Sequence, residues 1–65
     1  MPSSVISAIH YDTVKSVLRI TFVSGMVYYY LNVPEEIYAA LISSASKGIY
    51  FNQHIKGNFK YMKMN

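Results

Sequence analysis

Sixty-five residues, 52% of them hydrophobic and 14% charged, make one domain spanning residues 1–65 and leave little room for a large core. A chain of this size buries only about 60% of the surface its unfolded form exposes. The absence of cysteine excludes disulfides and every zinc site built on thiolates, so the remaining sources of stability are efficient packing and self-association, and a homo-oligomer is expected. The formal charge of +3 is unevenly spread. Asp12, Glu35 and Glu36 stand against Lys15 and Arg19 in the first 36 residues, a balance of −1, while Lys47, Lys56, Lys60 and Lys63 face no acid in the rest, a balance of +4. Such a C-terminal half suits an anionic partner, or else is a solvated basic tail. The start Met-Pro-Ser-Ser lacks the basic and apolar pattern of a secretion signal. The charge-free stretch over residues 20–34 is shorter than the roughly 20 apolar residues of a membrane span. No membrane association and a cytoplasmic location are expected.

In chain order, residues 5–11 read as a weak strand closed by the polar loop from Asp12 to Ser16. Residues 17–23 alternate, with Leu18, Ile20 and Phe22 on one face and Arg19 and Thr21 on the other. Ser24-Gly25 is a turn signal, because glycine accepts positive φ at no steric cost. Residues 26–32 form the next strand, rich in tyrosine and with the β-branched Val27. Pro34 at the first helical position, followed by Glu35 and Glu36, opens a helix, since proline needs no amide there and the acids complement the positive end of the helix dipole. Ile37, Leu41 and Ala45, with Tyr38 and Ile42 beside them, give that helix an apolar stripe, and the run Ser43-Ser44-Ala45-Ser46 ends it. Ser46 caps a second helix over residues 47–55, stopped by Gly57-Asn58. Residues 59–65 suit either an edge strand or a loose tail. The fold class is therefore α+β: a three-stranded antiparallel meander followed by two helices packed on one face, with room for a short C-terminal strand.

The tyrosines are the sharpest feature. With a two-residue turn at Ser24 and Gly25, Val23 pairs with Met26, Thr21 with Tyr28 and Arg19 with Tyr30, and directly opposed residues share a face. Val27, Tyr29 and Leu31 then join the face the helices cover. Tyr28 and Tyr30 lie with Arg19 on the open face, as a stacking platform beside a cation. A three-residue loop would bury the opposite set. The plainer role for these tyrosines is burial in an interface or beneath the C-terminal tail.

Catalysis has little to stand on. His10 and His54 have no cysteine partner and share three acids. A site made of His10, His54 and Asp12 has no ligand spacing behind it, and the serines fall at turns and caps. No cofactor is expected and no enzyme is read here.

The run Ile6…Ile9…Tyr11-Asp12, then Leu18…Phe22…Gly25…Tyr28-x-Tyr30…Val33-Pro34, then Ser46-Lys47-Gly48-x-Tyr50-Phe51-Asn52…Ile55, resembles the KTSC domain family over nearly the whole chain. That family is named for a domain at the C-terminus of some lysyl-tRNA synthetases, and it also occurs as small stand-alone bacterial and phage proteins. The resemblance implies RNA binding by association. It would make Tyr28 and Tyr30 the aromatic contacts, and Ser46, Lys47 and Gly48 an anion site at a helix start continued by Asn52 and Lys56. Family members often carry arginine in place of Lys56, and lysine lacks arginine's bidentate fork. The expected function is a non-catalytic nucleotide-binding module for RNA or another phosphate-bearing nucleotide, using Arg19, Tyr28, Tyr30, Ser46, Lys47, Gly48, Asn52 and Lys56. Two alternatives stand beside it: a homo-oligomer that sequesters a small nucleotide, cyclic or not, and a module that docks on a protein partner through its tyrosine face.

Overall fold

The computed structural model describes residues 6–64; the expectation for Val5 lies outside them, as does that for Asn65. The elements are β1 (Ile6–Asp12), β2 (Val17–Phe22), β3 (Val27–Tyr30), α1 (Glu35–Ser43), α2 (Lys47–Tyr50) continuing into a π-helical segment (Phe51–Ile55), and β4 (Tyr61–Met64). The strands form one antiparallel sheet in the order β1-β2-β3-β4. The α+β architecture is thus a meander extended by a fourth strand after the helices.

The β2–β3 hairpin corrects the expected turn. Its loop has three residues, Val23, Ser24 and Gly25. The Gly25 amide donates to Phe22 O at 2.8 Å, and the Phe22 amide donates to Met26 O at 2.9 Å. Gly25 supplies the required positive φ, +98°. This is the type I turn plus glycine bulge of three-residue hairpins. The pairing that follows is Leu18 with Tyr30, Arg19 with Tyr29, Ile20 with Tyr28, and Thr21 with Val27. Compared with a two-residue turn, β3 has slipped by one residue and every side chain on it has changed face. Tyr28 and Tyr30 therefore lie with Leu18 and Ile20 on the helix-covered face, and Tyr29 joins Arg19 on the open one.

The core forms where that face meets the helices: Leu18, Ile20, Tyr30, Val33, Leu41, Phe51 and Ile55 are all buried. Tyr11 fastens the edge of this layer, donating from its hydroxyl to Val33 O at 2.6 Å and stacking on Tyr38 with ring centres 4.8 Å apart. On the β1–β2 side, Asp12 Oδ1 accepts from the amides of Val14 and Lys15 at 2.9 and 3.1 Å, so the loop is built on an Asx-type turn.

Two helix details differ from expectation. Pro34 stands at the N-cap in extended conformation rather than at the first helical position, and its carbonyl receives the Ile37 amide at 3.0 Å. Helix α1 ends at Ser43, within the serine-rich run expected to close it, where Ser44 turns extended and returns its hydroxyl to Leu41 O at 2.7 Å. Ala45 falls beyond that end and is exposed, so it takes no part in the apolar stripe. Serines compete for backbone partners in this way and shorten helices. Ser46 does cap α2, its hydroxyl accepting from the Ile49 amide at 3.3 Å. After Tyr50 the backbone widens, and the Lys56 amide reaches back five residues to Phe51 O at 2.8 Å. That widened turn keeps both Phe51 and Ile55 in the core. Gly57, at φ +84°, then redirects the chain into β4.

A candidate nucleotide groove lined by tyrosines

The hairpin slip determines where an aromatic site can form. Tyr28 and Tyr30, two residues apart on β3, project to the same side with near-parallel rings 6.2 Å apart. Strand β4 brings Tyr61 opposite Tyr30, with its ring 5.3 Å from Tyr28 and 5.5 Å from Tyr30. Phe22 meets Tyr28 edge-on at 5.4 Å, and Phe51 meets Tyr30 at 5.5 Å and Phe22 at 5.6 Å. These distances and tilts are the favourable ones for aromatic pairs. Together the rings wall a groove of about 470 Å³ that runs between the hairpin loop, the π-helical segment and β4. Asn52 and Lys56, both exposed and one widened turn apart, supply polar groups along the helical side.

Burial grades the tyrosines. Tyr30 is buried, Tyr28 half-buried, and Tyr61 55% exposed, so the cluster has a fixed floor and an accessible wall. Burial, reinforced by Tyr28 and Tyr61, pushes the Tyr30 hydroxyl up to about 12 from its ordinary value of 10.0. The floor of the groove is therefore neutral at physiological pH, and the cation beside it is Lys56.

Four of the expected site residues, Tyr28, Tyr30, Asn52 and Lys56, come together in this groove. The others do not. Arg19 lies on the opposite face of the sheet, paired with Tyr29 and His10. Ser46, Lys47 and Gly48 are not part of the groove lining; the Ser46 hydroxyl caps α2, Gly48 is buried and Lys47 is exposed. The platform of Tyr28, Tyr30 and Arg19 on an open face is thus replaced by an aromatic groove on the covered face. His10 and His54 are likewise apart: His10 sits on β1, whereas His54 packs against the Tyr50 ring at 4.4 Å. Among the described residues no three His, Cys, Asp or Glu side chains are grouped to hold a metal.

Sequence reasoning overlooked Tyr61 and Tyr29. Tyr61 was within reach, because residues 59–65 suited an edge strand as well as a loose tail. Tyr29 was displaced by the assumed turn. It lies in a row, His10, Arg19, Tyr29 and Met62, that crosses all four strands on the open face. That face carries a shallow groove of about 460 Å³, which also includes Lys15.

Comparison with known proteins places these features in a family. The KTSC domain model matches residues 2–59. A lysine–tRNA ligase of Nostoc sp. strain PCC 7120 is 39% identical over 61 residues, 94% of this chain but 11% of the ligase. The chain therefore spans about a ninth of the length of such ligases. An uncharacterized protein of Stutzerimonas stutzeri is 34% identical over 98% of this chain and 92% of its own length. The crystal structure of a KTSC domain protein from Yersinia pestis superposes with a TM-score of 0.86 at 39% identity, covering 92% of this chain and 84% of that one. A family match over residues 2–59, a relative of similar size and a superposable fold all agree: the chain belongs to the KTSC domain family.

Proposed function

We propose that this protein is a non-catalytic nucleotide-binding module, and that the aromatic groove receives a base while Lys56 meets a phosphate. The observation that carries this reading is the convergence of Tyr28, Tyr30 and Tyr61 with Lys56 and Asn52 around one groove. Tyrosine rings stack any base, since every base has a π-face. Asn52 offers both a donor and an acceptor to a base edge, and Lys56 supplies a point charge for phosphate. The groove volume falls within the range of small-ligand sites, roughly 300–1,000 Å³. It thus matches one nucleotide, free or at an exposed position of an RNA. Its described lining contains neither histidine nor carboxylate. Lysine–tRNA ligases by name act with a tRNA, so RNA is the first ligand to test. A cytoplasmic setting accompanies that ligand. Among the described residues no helix is long and apolar enough to cross a membrane.

The test is an amide-resolved NMR titration at low salt with a short mixed-sequence RNA and then with mono- and cyclic nucleotides. It compares the wild type with Lys56→Gln and Arg19→Gln. Shifts centred on Tyr28, Tyr61, Asn52 and Lys56, with roughly tenfold weaker binding for Lys56→Gln alone, are expected for loss of one charged phosphate contact. Equal weakening by Arg19→Gln would move the site to the open face. No shift with any nucleotide would end the nucleotide reading and favour docking on a protein.

A further inference from the structure

Strand β4 has one neighbour and an open edge. Among the described residues it pairs only with β3, and all four of its residues are exposed, including Tyr61 at 55%, Met62 at 54% and Met64 at 44%. The direction of its backbone groups follows from one bond. The Leu31 amide donates to Lys60 O at 2.8 Å, so Lys60 turns its polar groups toward β3. Alternate residues of an antiparallel strand do the same. Met62 and Met64 therefore bond inward, while Tyr61 and Lys63 present their N–H and C=O groups to the open edge. The other edge of the sheet, β1, is interrupted by a bulge between Ile6 and Ala8, a feature that blunts an edge against pairing. Strand β4 pairs continuously, without one.

Lysines on an edge also discourage pairing, because like charges come to face one another. Whether they do depends on register. Two copies related by a two-fold axis at Lys63 would oppose lysine to lysine. An axis at Met62 instead sets Tyr61 opposite Lys63 and Lys60 opposite Met64, and in that register the outward-facing groups of Tyr61 and Lys63 bond each other. The pair is also a cation beside an aromatic ring. Lys63 pairs with Tyr28 across β3 and β4, which puts it on the groove side of the sheet with Tyr61. We propose that a second copy of this chain adds to β4 in antiparallel register about Met62, so that Lys63 of each copy meets Tyr61 of the other at the rim of the groove. The two sheets become one of eight strands, and each groove gains a second cation from its neighbour.

The contact is narrow against the roughly 1,200–2,000 Å² of a standard interface. The dimer is accordingly weak alone and tightens when an anionic ligand bridges Lys56 and the neighbouring copy's Lys63. The pairing itself stands on strand geometry; only the role given to Lys63 rests on the nucleotide reading. The experiment uses the full chain without nucleotide, measuring translational diffusion and amide exchange from micromolar to millimolar concentration. Expected are slower diffusion at high concentration and a concentration-dependent rise in protection of the Tyr61 and Lys63 amides, with Met62 and Met64 protected throughout. Lys63→Pro removes an outward donor together with the lysine cation, leaves the β3–β4 backbone bonds in place, and abolishes the association. Monomer diffusion at every concentration, or a dimer in which the Tyr61 and Lys63 amides exchange freely, would overturn the proposal. The wild-type exchange pattern decides even if proline frays β4. Failure here leaves the Lys56 titration untouched, so the two ideas fail separately.

Discussion

Tyr30 is the residue on which fold and site depend together. It is 4% exposed and packed against Phe51, Tyr28 and Tyr61. Removing a ring this deep costs the transfer energy of its atoms and leaves a cavity, so Tyr30→Ala should destabilise by about 3–5 kcal/mol in urea unfolding. Tyr28, half-buried on the same strand, is the better probe of function. Its hydroxyl-bearing ring also tests the stacking directly, since Tyr28→Phe should keep affinity and Tyr28→Ala should lose about 1–3 kcal/mol of it in the same titration. Tyr30 further imposes an alkaline limit. Its folded pKa of about 12 stands above the unfolded 10.0. The stabilising difference is fully present below about pH 10 and is lost as pH rises from there toward 12, because only the unfolded chain releases the proton in that window. Wild type should lose urea resistance between about pH 10 and about pH 12, and Tyr30→Phe should lose distinctly less. The presence of an important Tyr-x-Tyr was legible in the sequence. Its direction was not, since a one-residue change in loop length inverts a strand.

At the scale of elements, the β2–β3 loop makes that decision. Gly25 adopts φ +98° with nothing within 4 Å of where a Cβ would be. A side chain there meets no neighbour and suffers only from backbone conformation. Gly25→Ala should therefore cost about 1–2 kcal/mol by chemical denaturation without changing the fold, as seen in an unaltered far-ultraviolet spectrum. The second helix shows a similar division. Ser46 as its cap and the Phe51–Ile55 spacing were both readable, and Ser46→Ala should cost about 1 kcal/mol of stability. The π-helical widening was not readable, because it arises from seating Phe51 and Ile55 in the same core while Asn52 and Lys56 remain exposed. The stop of α1 was readable in the run Ser43-Ser44-Ala45-Ser46, whereas Ala45, at helical spacing but beyond that stop, does not belong to the apolar stripe.

For the whole molecule, the outcome is a sheet with two unlike faces. One carries the core and, at its β4 end, the aromatic groove; the other carries His10, Lys15, Arg19 and Tyr29 in the open. A base in the groove with a phosphate on Lys56 predicts affinity that falls with added salt, with a slope that drops by about one for Lys56→Gln and not for Arg19→Gln. Composition by itself determined the class: a small cysteine-free chain with strand alternation in its first half and helical spacing in its second becomes an α+β layer, because each pattern has a single face to bury. Residue identity also marked the family and four of the groove's side chains. Only the tertiary structure decided which tyrosines face the helices, that Tyr61 returns to complete the groove, and that Arg19 does not. Those outcomes depend on strand register and on a pairing between β3 and a strand some thirty residues later. Local sequence encodes the periodicity of each element, whereas the partner and phase of a strand are set by the packing of the whole.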